Sequence, residues 1–145
     1  GGMAIEPRYD RALDFSEGLA AVEQNGRYGF IDRSGQVVIP FQYDDAGMFR
    51  EGLADIRVDD KWGYIDSRGR VRVSPRYEQV GPFSEGLAPV MRGKRYGYID
   101  TDGREIISPR FEFALPFTNG LARVKVPAGW GYIDSAGEYV WEPAM

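Results

Sequence analysis

The sequence predicts an all-β repeat protein, and three observations carry that prediction. A block of the form Phe-x-Glu-Gly-Leu-Ala returns every 34 residues, opening at Phe15, Phe49, Phe83 and Phe117. Thirteen residues after each Phe comes an aromatic-Gly-aromatic-Ile-Asp block, Tyr28-Gly29-Phe30-Ile31-Asp32 in the first copy and repeated at 62–66, 96–100 and 130–134. Glycine (19 residues) and proline (9) interrupt the chain every few positions, so its apolar runs suit strands joined by tight turns rather than helices. A fixed period of this length means that each unit buries its apolar face only against a neighbour.

Each element follows in order along the unit. The first strand is Leu19-Ala20-Ala21-Val22-Glu23, with copies starting at 53, 87 and 121. Alternation puts Ala20 and Val22 on one face, which stays apolar in every copy (Ala54/Ile56, Ala88/Val90, Ala122/Val124) and is expected to face the core. The hairpin tip differs each time: Asn25-Gly26, Asp59-Asp60, Arg92-Gly93 and Pro127-Ala128-Gly129. Asn-Gly is a strong hairpin signal because both residues tolerate positive φ. The second strand carries the aromatic block. With apolar residues on both faces it should be the most buried strand, and Gly29, Gly63, Gly97 and Gly131 leave room for a neighbouring ring or backbone.

The turn after it reads Asp32-Arg33-Ser34-Gly35, with Asp66, Asp100 and Asp134 at the same first position and Gly69, Gly103 and Gly137 at the fourth. Asp there accepts from the backbone N–H groups that follow, and Gly allows a left-handed conformation. A third strand such as Val37-Val38-Ile39 is expected to end at a Pro segment (Pro40-Phe41-Gln42-Tyr43, Ser74-Pro75-Arg76-Tyr77, Ser108-Pro109-Arg110-Phe111). That segment has room for a short fourth strand, which leaves three or four strands per repeat. Ile5 to Tyr9 matches the Pro segment and 141–143 begins it again, so residues 1–145 read as a single domain of four whole units.

Composition removes several functions. At 145 residues and 43% apolar content the chain is long enough to bury roughly two-thirds of its unfolded surface. A net charge of −4 argues against nucleic acid, which is held by clustered Lys and Arg. With no Cys there is no disulfide or thiolate site, and with no His the commonest general base and metal ligand is missing. No cofactor or metal is expected. No apolar stretch approaches the ~20 residues of a membrane helix. The N-terminus lacks signal-peptide features, and Gly1-Gly2 before Met3 reads as a cloning remnant. The expected location is cytoplasmic, provided that no native leader has been removed; the oligomeric state is left open.

These blocks resemble the WG-type (KWG) repeat of bacterial proteins, through Phe49-Arg50-Glu51-Gly52-Leu53-Ala54, Lys61-Trp62-Gly63-Tyr64-Ile65-Asp66, Gly69 and the Pro-x-aromatic end. Departures are Tyr28 and Tyr96 for Trp, Asn119 for Glu and Pro40 one position early. The resemblance implies a non-catalytic scaffold with a variable number of repeats and a binding role, in some relatives as an immunity partner to a toxin. Variable repeat number favours an open stacked array over a closed four-bladed propeller-like ring, the alternative.

Residues identical in all four copies need an explanation that works four times. The repeated carboxylates Asp32, Asp66, Asp100 and Asp134 read as turn stabilisers, because an active site needs one asymmetric constellation, and calcium takes about six to eight oxygens. Glu17, Glu51 and Glu85, each before a Gly, read as backbone-capping carboxylates. The aromatic columns read as an interlocking core, with a sugar-stacking ladder as the alternative.

Variation points the other way. Columns 21/55/89/123 (Ala, Asp, Pro, Arg) and 23/57/91/125 (Glu, Arg, Met, Lys) are expected on the outward face of the first strand. The candidate binding residues are therefore Arg57, Met91 and Lys125, with the basic column Arg27, Lys61 and Arg95 beside the hairpins. The expected partner is a protein, with a glycan or cell-envelope ligand as the alternative. No catalytic residue is expected.

Overall fold

The computed structural model of the chain describes residues 9–141. The ends at 5–8 and 142–143, matched in the sequence, lie outside the described residues. The described residues form four four-stranded antiparallel sheets and no helix. The first sheet runs in the order β1 (Arg11–Ala12), β2 (Leu19–Gln24), β3 (Arg27–Asp32) and β4 (Val37–Tyr43). The second holds β5 (Asp45–Ala46), β6 (Leu53–Val58), β7 (Lys61–Asp66) and β8 (Val71–Tyr77). The third holds β9 (Gln79–Val80), β10 (Ala88–Arg92), β11 (Arg95–Ile99) and β12 (Glu105–Phe111). The fourth holds β13 (Phe113–Ala114), β14 (Ala122–Val126), β15 (Gly129–Ile133) and β16 (Tyr139–Trp141). By packing, the chain divides into two compact units, residues 1–75 and 76–145.

Four strands per repeat resolves the open count, and the extra strand lies elsewhere than the Pro segment. The third strand runs straight through that segment, as β4 does through Pro40, and the short strand that follows begins the next sheet. Proline is tolerated because β4 is an edge strand and bulged: Tyr28 faces Tyr43 but Phe30 faces Ile39, so the ladder slips by two residues between them. Gly29 makes the bulge possible, since a Cβ there would sit 2.6 Å from the Ile39 carbonyl oxygen.

The turns obey local chemistry. Glu17 and Gly18 lie at φ 54° and 83°, closing a two-residue reverse turn in which Ser16 and Leu19 exchange backbone hydrogen bonds. Glu51, Glu85 and Asn119 repeat that conformation at φ 51–55°. At the hairpin tips Asn25-Gly26 has positive φ as expected, and Asp59-Asp60 adopts the same conformation. In the third repeat the tip is Gly93-Lys94 rather than Arg92-Gly93, because Arg92 still pairs with Arg95. Each turn aspartate accepts two backbone N–H bonds: Asp32 Oδ1 takes those of Ser34 (2.9 Å) and Gln36 (3.0 Å). Asp66, Asp100 and Asp134 do the same, and Gly35, Gly69, Gly103 and Gly137 all have positive φ.

Within each unit the apolar contacts join two sheets. In the first, Leu19, Ala21, Phe30 and Ile39 of one sheet pack with Phe49, Ala54, Ile56 and Ile65 of the next. In the second, Leu87, Tyr98 and Ile107 pack with Phe117, Ala122, Val124 and Ile133. The face expected to be buried, Ala20/Val22 and its copies, is buried in all four repeats.

Candidate functional site

The joint between consecutive sheets defines what covers a repeat. In the first unit the Phe49 ring meets Phe30 edge-on at 5.1 Å between centroids, Ser16 Oγ donates to the Phe49 carbonyl (2.6 Å), and the Glu17 carboxylate accepts from the Gly52 N–H (2.9 Å). The second unit repeats it. Phe117 meets Tyr98 edge-on at 4.9 Å, and Ser84 Oγ donates to the Phe117 carbonyl (2.7 Å). The Glu85 carboxylate accepts from the N–H groups of Asn119 (2.6 Å) and Gly120 (2.9 Å). The carboxylates are thus caps, as the sequence suggests, but they cap the turn of the following repeat rather than their own. The next turn glycine completes the cover: a Cβ on Gly69 would lie 3.4 Å from Ile39, and one on Gly137 3.2 Å from Ile107.

This joint corrects the orientation of one variable column. Ala21 and Pro89, expected outward, are buried, since the face they share with Phe30 and Tyr98 is covered by the next sheet. Asp55 in that column is half-buried beside Gly47, where a Cβ would collide with its carboxylate. Only Arg123 is exposed. The neighbouring column is half-buried throughout: Arg57 lies 3.3 Å from Asp60 and Lys125 2.9 Å from Glu112, while Met91 has no charge to pair. Arg27, Lys61 and Arg95 are exposed at the starts of their strands, with Arg27 held 2.7 Å from Asp44.

The fourth sheet presents the corresponding face to solvent. Tyr132 is 39% exposed, whereas Phe30 and Tyr98 in the same column are 0% exposed. Trp130 is 37% exposed, and Trp141, which occupies the column of the buried Ile39, Val73 and Ile107, is 60% exposed. Register puts these groups on one face, because Arg123 and Trp141 both pair with Tyr132 and Lys125 pairs with Trp130. The Arg123 guanidinium lies over the Trp130 ring, 4.7 Å from its centroid, within the range of a cation–π contact. Beside it is an open cleft of about 500 Å³ lined by Leu115, Pro116, Thr118, Asn119, Leu121, Arg123 and Tyr132. Of the residues proposed from the sequence alone, only Lys125 belongs to this face. The signals that mark it are departures in the last copy: Trp141 among Ile, Val and Ile, Arg123 among Ala, Asp and Pro, and Asn119 among three Glu residues.

A second cleft, about 450 Å³, is lined by Arg76, Arg92, Gly103 and Glu105. Its charges are engaged with each other, since Arg92 grips Glu105 through two bonds of 2.9 Å and holds that carboxyl below its ordinary range. Among the described residues no cluster of three His, Cys, Asp or Glu side chains is placed to hold a metal ion, and no helix is long and apolar enough to cross a membrane.

Comparison with known proteins gives a family and a loose fold likeness. The sequence matches the family model described as WG containing repeat at residues 1–28, 28–62, 62–96 and 96–126. No curated protein matches it. Among solved structures, KlHsv2 with loop 6CD replaced by a Gly-Ser linker superimposes with a TM-score of 0.54 at 11% identity, over 87% of this chain. The chain spans about half (48%) of that structure. A plant lectin with two metal binding sites from Cicer arietinum (TM-score 0.35, 11% identity, 94% of this chain and 88% of that one) is a weaker likeness. So is the hemopexin fold protein CP4 from cow pea (0.33, 12%, 89% and 87%). The first likeness bears on fold alone, and the two plant structures superimpose too loosely to carry an argument.

Proposed function

The chain belongs to the WG containing repeat family, and on that premise we propose that it is a non-catalytic scaffold that holds another protein against the uncovered face of its fourth sheet. One observation supports this above the others: Trp130, Tyr132 and Trp141 are exposed together with Arg123, while the columns that Tyr132 and Trp141 continue (Phe30, Tyr64 and Tyr98; Ile39, Val73 and Ile107) are buried in the preceding repeats. Trp, Tyr and Arg are the side chains over-represented at the energetic centres of protein interfaces, because Trp and Tyr bury a large area for two rotatable bonds and Arg presents a planar fork of donors that also stacks on rings. A sugar-stacking surface needs aromatic faces too, but the Arg123 guanidinium covers one of them here. A co-encoded toxin is the partner class that the family resemblance implies.

A photo-cross-linking residue at position 132, expressed in the source cell, tests this reading. The expected products are protein adducts, lost when Arg123 and Trp130 are changed to Ala. Adducts to carbohydrate, or capture abolished by soluble sugar, would replace the protein partner by a glycan.

A further inference from the structure

We propose that the cleft on the fourth sheet receives the opening turn of a second copy of this chain, Phe15-Ser16-Glu17-Gly18, so that copies associate head to tail. The inference rests on the protein-binding reading of that face and names its occupant. The argument is continuity with the joints already inside the molecule. In both units the same receptor is filled by the same kind of ligand: an edge-on Phe ring on Phe30 or Tyr98, a Phe carbonyl on the Ser16 or Ser84 hydroxyl, and turn amides on the Glu17 or Glu85 carboxylate.

The fourth repeat offers the receptor again. Tyr132 stands in the column of Phe30 and Tyr98, Thr118 supplies the hydroxyl, and Asn119, at the same left-handed φ as the glutamates, supplies an amide oxygen as acceptor. All three line the cleft or its wall. The matching ligand is Phe15, which is only half-buried, whereas Phe49 and Phe117, the rings already seated on a preceding repeat, are 1% exposed. Trp141 adds exposed apolar area in the column where Ile39 and Ile107 meet the turn glycines Gly69 and Gly137 of the following repeats. Receptor and ligand are different residues of the chain. The contact is therefore heterologous, and it propagates into longer assemblies unless its rotation closes a ring.

Sedimentation of the purified full chain from micromolar to millimolar concentration tests the proposal, read together with cross-linking from a photoreactive residue at position 130. The expected result is an average mass that rises with concentration, and intermolecular adducts on residues 14–18. Tyr132→Arg should weaken association at least tenfold while the melting curve stays in place. Phe15→Ala should also weaken it. If Phe15→Ala fails to fold, the adduct positions still identify the ligand turn. A chain that stays monomeric throughout, or adducts that map away from 14–18, would overturn the proposal. If a monomeric chain nevertheless loses a different protein partner on Tyr132→Arg, the protein-binding reading stands and only its occupant is wrong.

Discussion

Arg123 and Tyr132 face each other across neighbouring strands of the fourth sheet, at the pair of positions held by Ala21 and Phe30 in the first. In the first sheet the small residue lets the next sheet close over the ring. In the fourth a long cation lies beside an exposed phenol, with its guanidinium over Trp130. Identical strand geometry thus produces a core in one place and a surface in the other. What changes is whether a Phe-led turn is present to cover it.

The first prediction separates those two states. Phe117 is buried and meets Tyr98 edge-on, so Phe117→Ala should cost about 3–5 kcal/mol, as truncation of a buried Phe does. Phe15→Ala should cost distinctly less, because Phe15 is half-buried and its polar neighbour Arg33 lies over it 5.1 Å from the ring centroid. Urea denaturation of the two variants is the measurement, and equal losses would count against the difference in cover.

Gly69 is the second test. It lies at φ +80° and packs against Ile39 of the preceding repeat, so Gly69→Ala combines backbone strain with crowding. A loss of about 1 kcal/mol or more is expected, since a Cβ is disfavoured in that conformation. An unchanged melting temperature would remove the turn from the account.

Asp55 provides a pH test. Loss of water on burial pushes its carboxyl up to about 6; its own backbone N–H opposes the shift and the charge of Asp45 adds to it. A folded pKa above the ordinary value of 3.8 means that the ionised form disfavours folding. The contribution of Asp55 is therefore fully present below about pH 4 and is lost as the pH rises through about 6. Two pKa units correspond to about 3 kcal/mol as an upper figure. Asp55→Asn should be the more stable protein at neutral pH and should lose this slope, so the difference between the two proteins is the reading. The turn carboxylates Asp32 and Asp66, held below their ordinary range, act in the opposite direction and cancel in that comparison. A difference that does not change with pH would place Asp55 in water.

Surface changes on the uncovered face should spare stability. Arg123→Ala and Trp141→Ala remove exposed side chains, so each is expected to move stability by within about 0.5 kcal/mol. Partner capture should fall by at least tenfold in the same variants. Arg57→Glu and Met91→Glu, on sheets other than the fourth, should leave capture unchanged; if capture is lost instead, the interface follows the first-strand columns.

Most of the fold is legible in the sequence because its determinants are local. The four Asp-x-x-Gly turns, the Asn25-Gly26 hairpin and the Ala20/Val22 face each depend on residues a few positions apart. The rest depends on neighbouring repeats. Glu17 reads as a backbone cap, but the sequence does not say of which turn, and its carboxylate reaches Gly52, 35 residues on. Pro40 reads as a strand end, because the bulge that accommodates it is set by Gly29 on the adjacent strand. Ala21 reads as outward, because alternation within a strand shows two faces without saying that both are covered. The candidate site is the hardest to see, since Tyr132 belongs to a motif indistinguishable from its buried copies. Only Arg123, Asn119 and Trp141 mark the difference.

Hydroxyl-radical footprinting of the chain, alone and with its captured partner, measures that difference most directly. The account predicts that Trp130, Tyr132 and Trp141 label readily in the free protein while Tyr98 and Phe30 do not, and that the partner suppresses labelling of the first three. A free protein in which Tyr132 is as protected as Tyr98, or a complex in which all three label as before, would contradict it.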